Sequence, residues 1–372
     1  MAAIAAVLTE PRKLEIREID SPLLGLDDGL LRVEACGMCG SDLGPYRTGH
    51  NASGATLPMI LGHEIVGRIE DCGPSAAARW GLDPGDRVIV QEHAPCGRCE
   101  VCRSGRDRLC RYQVRYGSRG LDEAPGLWGG YADTLYLHPR SVLHRAPEGV
   151  PAHLLALHVP VSNGIFWAQR LGGVGIGSTV VIFGPGAHGL GTVLASAMAG
   201  AAKVVMVGRP EDGARLAAAE TLGATHTLTT EDDVGAAIDE LTGGRGADTV
   251  IDITPANATG VDPLELAPRL SAFGATIVAI GHKRGRPLAG FVTDDILRKE
   301  LTLRGAWGRD DASVQAALRL LADPVVLERL ELITTGTYPV SQAAEALAIL
   351  DDPSPSGAVH LSIVPDEPAQ NN

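Results

Sequence analysis

The chain has 372 residues, 45% of them apolar, and a formal net charge of −13. That length allows two substantial domains, and the apolar share is that of an ordinary globular protein. The acidic balance argues against a nucleic-acid surface, and no apolar run approaches the ~20 residues of a membrane span.

The opening run MAAIAAVLTEPRKLEIREI lacks the basic start and long apolar core of a signal peptide. It reads as two short strands around Glu10 and Pro11. Residues 1–150 alternate short β-rich runs with Gly/Pro turns, as at 29–35 and 86–90, which predicts an irregular β domain with long loops. Within it stand Cys39-Gly40-Ser41-Asp42 and Gly62-His63-Glu64. A loop of about 93–113 then carries Cys96, Cys99, Cys102 and Cys110, spaced Cys-x2-Cys-x2-Cys-x7-Cys. Four thiolates close a tetrahedral shell around Zn²⁺ and leave no position open for chemistry, so this loop is expected to be a structural zinc site. Spacing alone leaves an iron–sulfur cluster open. Disulfides would need an oxidising compartment. The arginines at 98, 103, 106, 108 and 111 are expected to offset thiolate charge and lower the cysteine pKa values. Cys36 and Cys72 have no companion spacing and read as buried small hydrophobes. A reducing cytoplasm fits this cysteine usage.

From about residue 178 apolar strands alternate with Ala/Leu-rich helices, which predicts βαβ units and a parallel sheet. The expected elements are strands at 179–184, 203–207, 249–253, 276–280 and 301–303, with helices at 190–199, 213–222, 234–241 and 264–270. A helix at 312–321, a segment at 338–350 and a final strand at 359–364 follow. The polar tail 365–372 is expected to fray. The first strand feeds Gly184-Pro185-Gly186-Ala187-His188-Gly189 and then a helix. Those glycines permit a tight turn, backbone approach to a pyrophosphate and close helix packing, with the helix N-terminus facing the anion. The second strand ends at Gly208-Arg209, where an acid normally binds the adenine ribose. Losing that carboxylate and gaining a cation leans the reading from NAD to NADP, although Glu211 and Asp212 follow within reach.

Taken together, these motifs resemble the zinc-dependent medium-chain alcohol dehydrogenases, including the polyol and threonine dehydrogenase branches. The resemblance runs from the opening strand to Ser356-Gly357. It implies an α/β protein: a GroES-like β-barrel catalytic domain from residues 1–160 and 308–372, and a Rossmann NAD(P)-binding domain from 161–307. It implies Cys39 and His63 as ligands of a catalytic zinc, Glu64 as a ligand or a partner behind it, Ser41 as the group that hydrogen-bonds the substrate oxygen and passes its proton on, and Asp42 as an orienting residue. Thiolate and imidazole suit Zn²⁺ on chemical grounds as well. By family position, Arg215 lies on the adenosine side of the cofactor and Gly281 and Ala306 near the nicotinamide. Val159 occupies the place of the usual third zinc ligand, which points to direct ligation by Glu64, to water, or to His158. The histidine that ends the proton relay in many members falls at Gly44, with His50 nearby.

The implied activity is reversible hydride transfer between NAD(P) and a small-molecule alcohol: a secondary alcohol, a polyol or an amino-alcohol. The substrate pocket is expected near Tyr46, His50, Tyr116, Trp128 and Trp307. Family members are commonly homodimers or homotetramers. Two other readings compete: a zinc-independent NADPH-dependent quinone- or enoyl-type reductase, and a non-catalytic dinucleotide-binding protein.

Overall fold

In a computed structural model of the full chain, described for residues 2–50, 56–255, 262–352 and 357–367, the backbone forms two compact units. One comprises Met1–His158 with Leu318–Asn372 and the other Val159–Ala317. Ser356 and the end of the polar tail lie outside the described residues.

The first unit is built on strand Gly29–Gly37, of which only Arg32 is exposed. On one edge it pairs antiparallel with Glu64–Cys72 along its length, Gly37 standing opposite Glu64. On the other edge residues 29–32 pair with Thr134–Leu137, and Cys36 and Gly37 pair with the final strand His360–Val364. Register shifts after Leu30 and Val33 bend the strand, as bulges do, so one strand serves three partners. Arg87–Val90, Leu143–Arg145 and Thr334–Pro339 complete a seven-stranded sheet. Ala2–Glu10 pairs with Lys13–Asp20, the two strands read around Glu10-Pro11, and with Met59–Ile60. Leu31, Ile65, Tyr131, Leu135 and Leu361 lie in the core that these sheets share. Burying such side chains supplies most of the driving force, roughly 1.5–3 kcal/mol each.

The second unit is a six-stranded parallel sheet. Numbered along the chain, its strands are Thr179–Phe183, Lys203–Gly208, His226–Thr229, Ala247–Asp252, Ser271–Ala279 and Thr302–Gly305. Their spatial order is 3-2-1-4-5-6. This is the doubly wound order, in which ligands bind outside the carboxyl ends of the strands. Val181, Val205, Val250 and Ile277 are fully buried, as expected of β-branched runs covered on both faces. Several elements were not anticipated, three of them after residue 225. His226–Thr229 is half-buried along its whole length and so has no apolar run to betray it. Helix Thr293–Lys299 buries none of its residues and lacks an amphipathic signature. Helix Pro324–Glu331 is short, with Pro324 at its first turn and Asp323 accepting from the Val325 N–H. Among the described residues no helix is long and apolar enough to cross a membrane.

Candidate catalytic and cofactor sites

Strand Gly29–Gly37 runs into Cys39 and a single 3-10 turn, Gly40–Asp42. The turn is closed by its own acid: Asp42 Oδ2 accepts from the Cys39 backbone N–H at 3.0 Å. The same oxygen accepts from the Tyr131 hydroxyl at 2.9 Å, and Asp42 is buried. Its other oxygen lies 3.3 Å from His63 Nδ1. Asp42 thereby fixes the ring of His63 and leaves Nε2 to face Ser41 Oγ at 3.3 Å, with a further hydrogen bond to Cys39. A carboxylate on one imidazole nitrogen is the usual device for aiming the other at a metal. His63 is placed by Gly62, whose φ of 91° and contact with Tyr131 exclude a side chain; a Cβ there would lie 2.5 Å from Tyr131 Cδ1.

Glu64 follows as the first residue of its strand and is fully buried. One of its carboxylate oxygens lies within 4.8 Å of Cys39 Sγ. Its Oε2 is 3.3 Å from Nε2 of His360, also fully buried, on the strand paired with Gly37. Cys39, Ser41, His63 and Glu64 are therefore gathered at the end of one strand pair. They offer a thiolate, an imidazole and a carboxylate, a donor set that fits zinc, with a hydroxyl beside them. Burial alone would lower the His63 pKa, but the Asp42 carboxylate and Cys39 outweigh it and hold it well above the ordinary value. A metal binding there must displace that proton, so its affinity weakens as pH falls. Val159 and His158 are both buried at the start of helix His158–Ile165, and Val159 offers no donor. His50 is exposed, and its backbone N–H donates to Thr48 Oγ1.

The four sulfurs of Cys96, Cys99, Cys102 and Cys110 all lie within 4.8 Å of one another, and none of the seven cysteines is in a disulfide. That gathering fits a closed tetrathiolate zinc shell. Arginine side chains are not the main influence on the Cys96 and Cys102 thiols. Cys96 is pulled down to about 6 chiefly by the backbone N–H of Arg98, together with Cys99 and Cys110. Cys102 is pushed up to about 12 by burial and by its neighbouring thiols.

In the second unit the Gly-rich turn joins strand Thr179–Phe183 to helix Ala187–Met198, which Gly186 caps in an extended conformation. Gly189 packs so close to the turn that a Cβ would lie 1.9 Å from the Gly184 carbonyl oxygen. At Gly186 a Cβ would meet nothing within 4 Å, so this face is open to a ligand. Pro185, Ala187 and His188 complete the turn, and His188 Nε2 is 3.3 Å from Asn163 Nδ2. Gly208 ends the second strand. Arg209 is partly exposed and lies 2.9 Å from Glu211 and 3.2 Å from Asp212. Arg215 lies 3.8 Å from Asp212, and burial lowers its pKa. Gly281 follows the fifth strand, and Ala306 follows the sixth with its N–H on the Ala279 carbonyl at 3.0 Å. The expected cofactor residues thus share the carboxyl edge of one sheet. Of the aromatic pocket candidates, Tyr46, Tyr116 and Trp128 are core residues rather than pocket walls. Trp307 is 46% exposed, close to His282.

Sequence reasoning missed Tyr131 and His360. Each acts on a residue far away along the chain, 89 positions for Tyr131–Asp42 and 296 for His360–Glu64. The one available signal was a histidine in the otherwise apolar run Ala358-Val359-His360-Leu361.

A β unit bearing thiolate, imidazole and carboxylate donors, in one chain with a doubly wound nucleotide-binding sheet, defines a zinc- and NAD(P)-dependent dehydrogenase. Comparison with known proteins agrees. The family model described as the alcohol dehydrogenase GroES-like domain matches residues 25–148, and that described as zinc-binding dehydrogenase matches 187–323. A relative named as a probable alcohol dehydrogenase of Mycobacterium tuberculosis is 40% identical over 323 residues, covering 85% of this chain and 86% of that protein. The erythritol/L-threitol dehydrogenase of Mycolicibacterium smegmatis is 30% identical over 277 residues, covering 72% and 74%. The crystal structure of an alcohol dehydrogenase from Thermotoga maritima has a TM-score of 0.85 at 26% identity, covering 98% of this chain and all of that one. The chain belongs to the zinc-dependent medium-chain alcohol dehydrogenase family. It is an oxidoreductase that uses zinc and NAD(P) to interconvert small-molecule alcohols and their carbonyl products. These relatives do not favour a zinc-independent reductase or a non-catalytic binder.

Proposed function

We propose that the protein oxidises a secondary alcohol, polyol or amino-alcohol at a zinc held by Cys39, His63 and Glu64, with water or His158 where Val159 offers no ligand. The observation that carries this reading is the Asp42–His63–Ser41 chain beside Cys39. Zinc, when bound, supplies Lewis-acid stabilisation of an alkoxide oxygen. The residues do the rest. Asp42 holds the imidazole in one tautomer, with its proton on Nδ1. Ser41, exposed at the turn, hydrogen-bonds the substrate oxygen and relays its proton, giving its own hydroxyl proton to solvent as it takes the substrate's. Cys96, Cys99, Cys102 and Cys110 hold the structural zinc. Residues 1–160 and 308–372 form the catalytic domain and 161–307 the cofactor domain. Turnover of an alcohol and ketone panel with each cofactor tests this reading; no turnover of any by zinc-replete protein would sink it. The kinship with a tetritol dehydrogenase supports beginning that panel with polyols.

Gly184, Pro185, Gly186, Ala187, His188 and Gly189 cradle the pyrophosphate, with Gly208, Arg209 and Arg215 on the adenosine side and Gly281 and Ala306 near the nicotinamide. NADP is preferred because Arg209 replaces the ribose-binding acid with a cation. Arg209→Ala is expected to weaken NADPH by about 10–100-fold, the range of one charge-assisted hydrogen bond, and NADH much less. Equal weakening in fluorescence titrations would remove the case for NADP.

The protein works in the cytoplasm as a homodimer or homotetramer. Its free thiols support the compartment. The edge strand Thr302–Gly305 supports the assembly: all four residues are exposed, Leu303 among them, as are Phe273 and Leu297.

A further inference from the structure

At the carboxyl edge of the parallel sheet one ammonium group joins three segments. Asp252 ends the fourth strand and is fully buried. Its Oδ1 accepts from the Thr254 backbone N–H at 2.9 Å and from the Thr254 hydroxyl at 2.6 Å. Lys283 Nζ lies 2.8 Å from Asp252 Oδ2 and 3.3 Å from Asp262 Oδ2. It also donates to the Thr254 carbonyl at 3.1 Å and reaches the Thr254 hydroxyl at 3.0 Å. Asp262 caps helix Pro263–Leu270, its Oδ1 accepting from the Leu264 N–H at 3.0 Å. The backbone is tied in as well. The Asp252 carbonyl accepts from the N–H groups of Ile280 and Gly281, at 2.9 and 3.1 Å.

Two nearly inaccessible carboxylates thus share one lysine whose own side chain is only 12% exposed. Burial pushes the Asp252 pKa up, against the pull of Lys283 and Thr254. Removing the ammonium would leave buried charge without compensation, and the three segments would have to rearrange. The place of this cluster gives it meaning. In a sheet of order 3-2-1-4-5-6 the first three strands serve one nucleotide and the last three the other. The Gly-rich turn and Arg209 stand on the first half. Lys283 stands on the second, at the ends of strands four and five.

We propose that Lys283 is a positioning residue for the nicotinamide half of the cofactor: by drawing Asp252, Thr254 and Asp262 together, it fixes the Thr254 and Gly281 backbone against which that nucleotide packs. The inference rests on the assignment of the Gly-rich turn to NAD(P). Lysine suits the role because a single ammonium on a flexible stem can satisfy several oxygens at unequal angles.

The test uses zinc-replete full-length protein and compares NADPH and NADH with ADP-ribose and its 2′-phosphate, which lack nicotinamide. Lys283→Met is expected to weaken the intact cofactors by about tenfold or more while ADP-ribose ligands change by less than about twofold. Lys283→Arg, which keeps the charge, restores most of the loss. Equal weakening of both ligand classes would mean general damage to the sheet and would overturn the proposal, as would unchanged NADPH and NADH affinity. Should Lys283→Met fail to fold, Asp262→Asn keeps a capping oxygen but removes one charge from the cluster. It is expected to show the same split in smaller degree, and no split would overturn the proposal. A wild-type protein that binds neither ADP-ribose ligand would instead sink the cofactor assignment itself.

Discussion

Cys99→Ser is expected to release one zinc per chain and to lower Tm by roughly 10 °C or more. The reason lies in how little else holds that lobe together. Between residues 96 and 110 only Cys110 is buried. Leu109 and Tyr112 face solvent, and the flanking strands His93–Ala94 and Val114–Arg115 pair through only two residue pairs. With almost no apolar burial, the metal–thiolate bonds carry the folding free energy of the loop. Serine is nearly isosteric but binds zinc poorly, so packing changes little while a ligand is lost. Metal analysis and thermal denaturation on the same sample check this. Full zinc content with an unchanged Tm would show that the cluster is not a zinc site.

Ser41→Ala is expected to lower kcat for alcohol oxidation by about 10²–10⁴-fold, the usual worth of a positioned proton-transfer group. Zinc content and NADPH affinity should stay at wild-type levels, because Ser41 is exposed and supplies neither a zinc ligand nor a cofactor contact. Its one described partner in the site is His63 Nε2, at 3.3 Å. Ser41→Thr, which keeps the hydroxyl, should recover part of the rate. Steady-state kinetics with a good alcohol substrate decide the matter. An alanine variant that turns over like wild type would assign proton removal to another group.

Features written in contiguous residues were legible before any coordinates. The cysteine loop, the Gly-rich turn and the alternation of strands and helices after residue 178 all depend on short-range spacing, which a sequence displays directly. Features that depend on distant strands were hidden. Asp42 was recognisable as an orienting residue, but its anchor Tyr131 was not, because strand pairing alone makes them neighbours. The same holds for Glu64 with His360 and for Asp252 with Lys283. Aromatic residues misled for a related reason. Tyr116 and Trp128 lie in a functional-looking stretch of sequence, yet their large apolar surfaces are buried in the barrel core. The arginines of the cysteine loop misled too. Backbone N–H groups, which every sequence has, lower Cys96 where guanidinium groups were expected to act.

The catalytic zinc is the centre of this account, and counting metal in two proteins tests it. Wild type is expected to hold two zincs per chain. Glu64→Ala is expected to hold one, retained by the four cysteines, and to lose alcohol oxidation, since the second site then keeps only Cys39 and His63 with water or His158. A fully active Glu64→Ala variant with two zincs would remove Glu64 from the ligand set. A wild-type enzyme that turns over alcohols with a single zinc per chain would contradict the catalytic metal altogether.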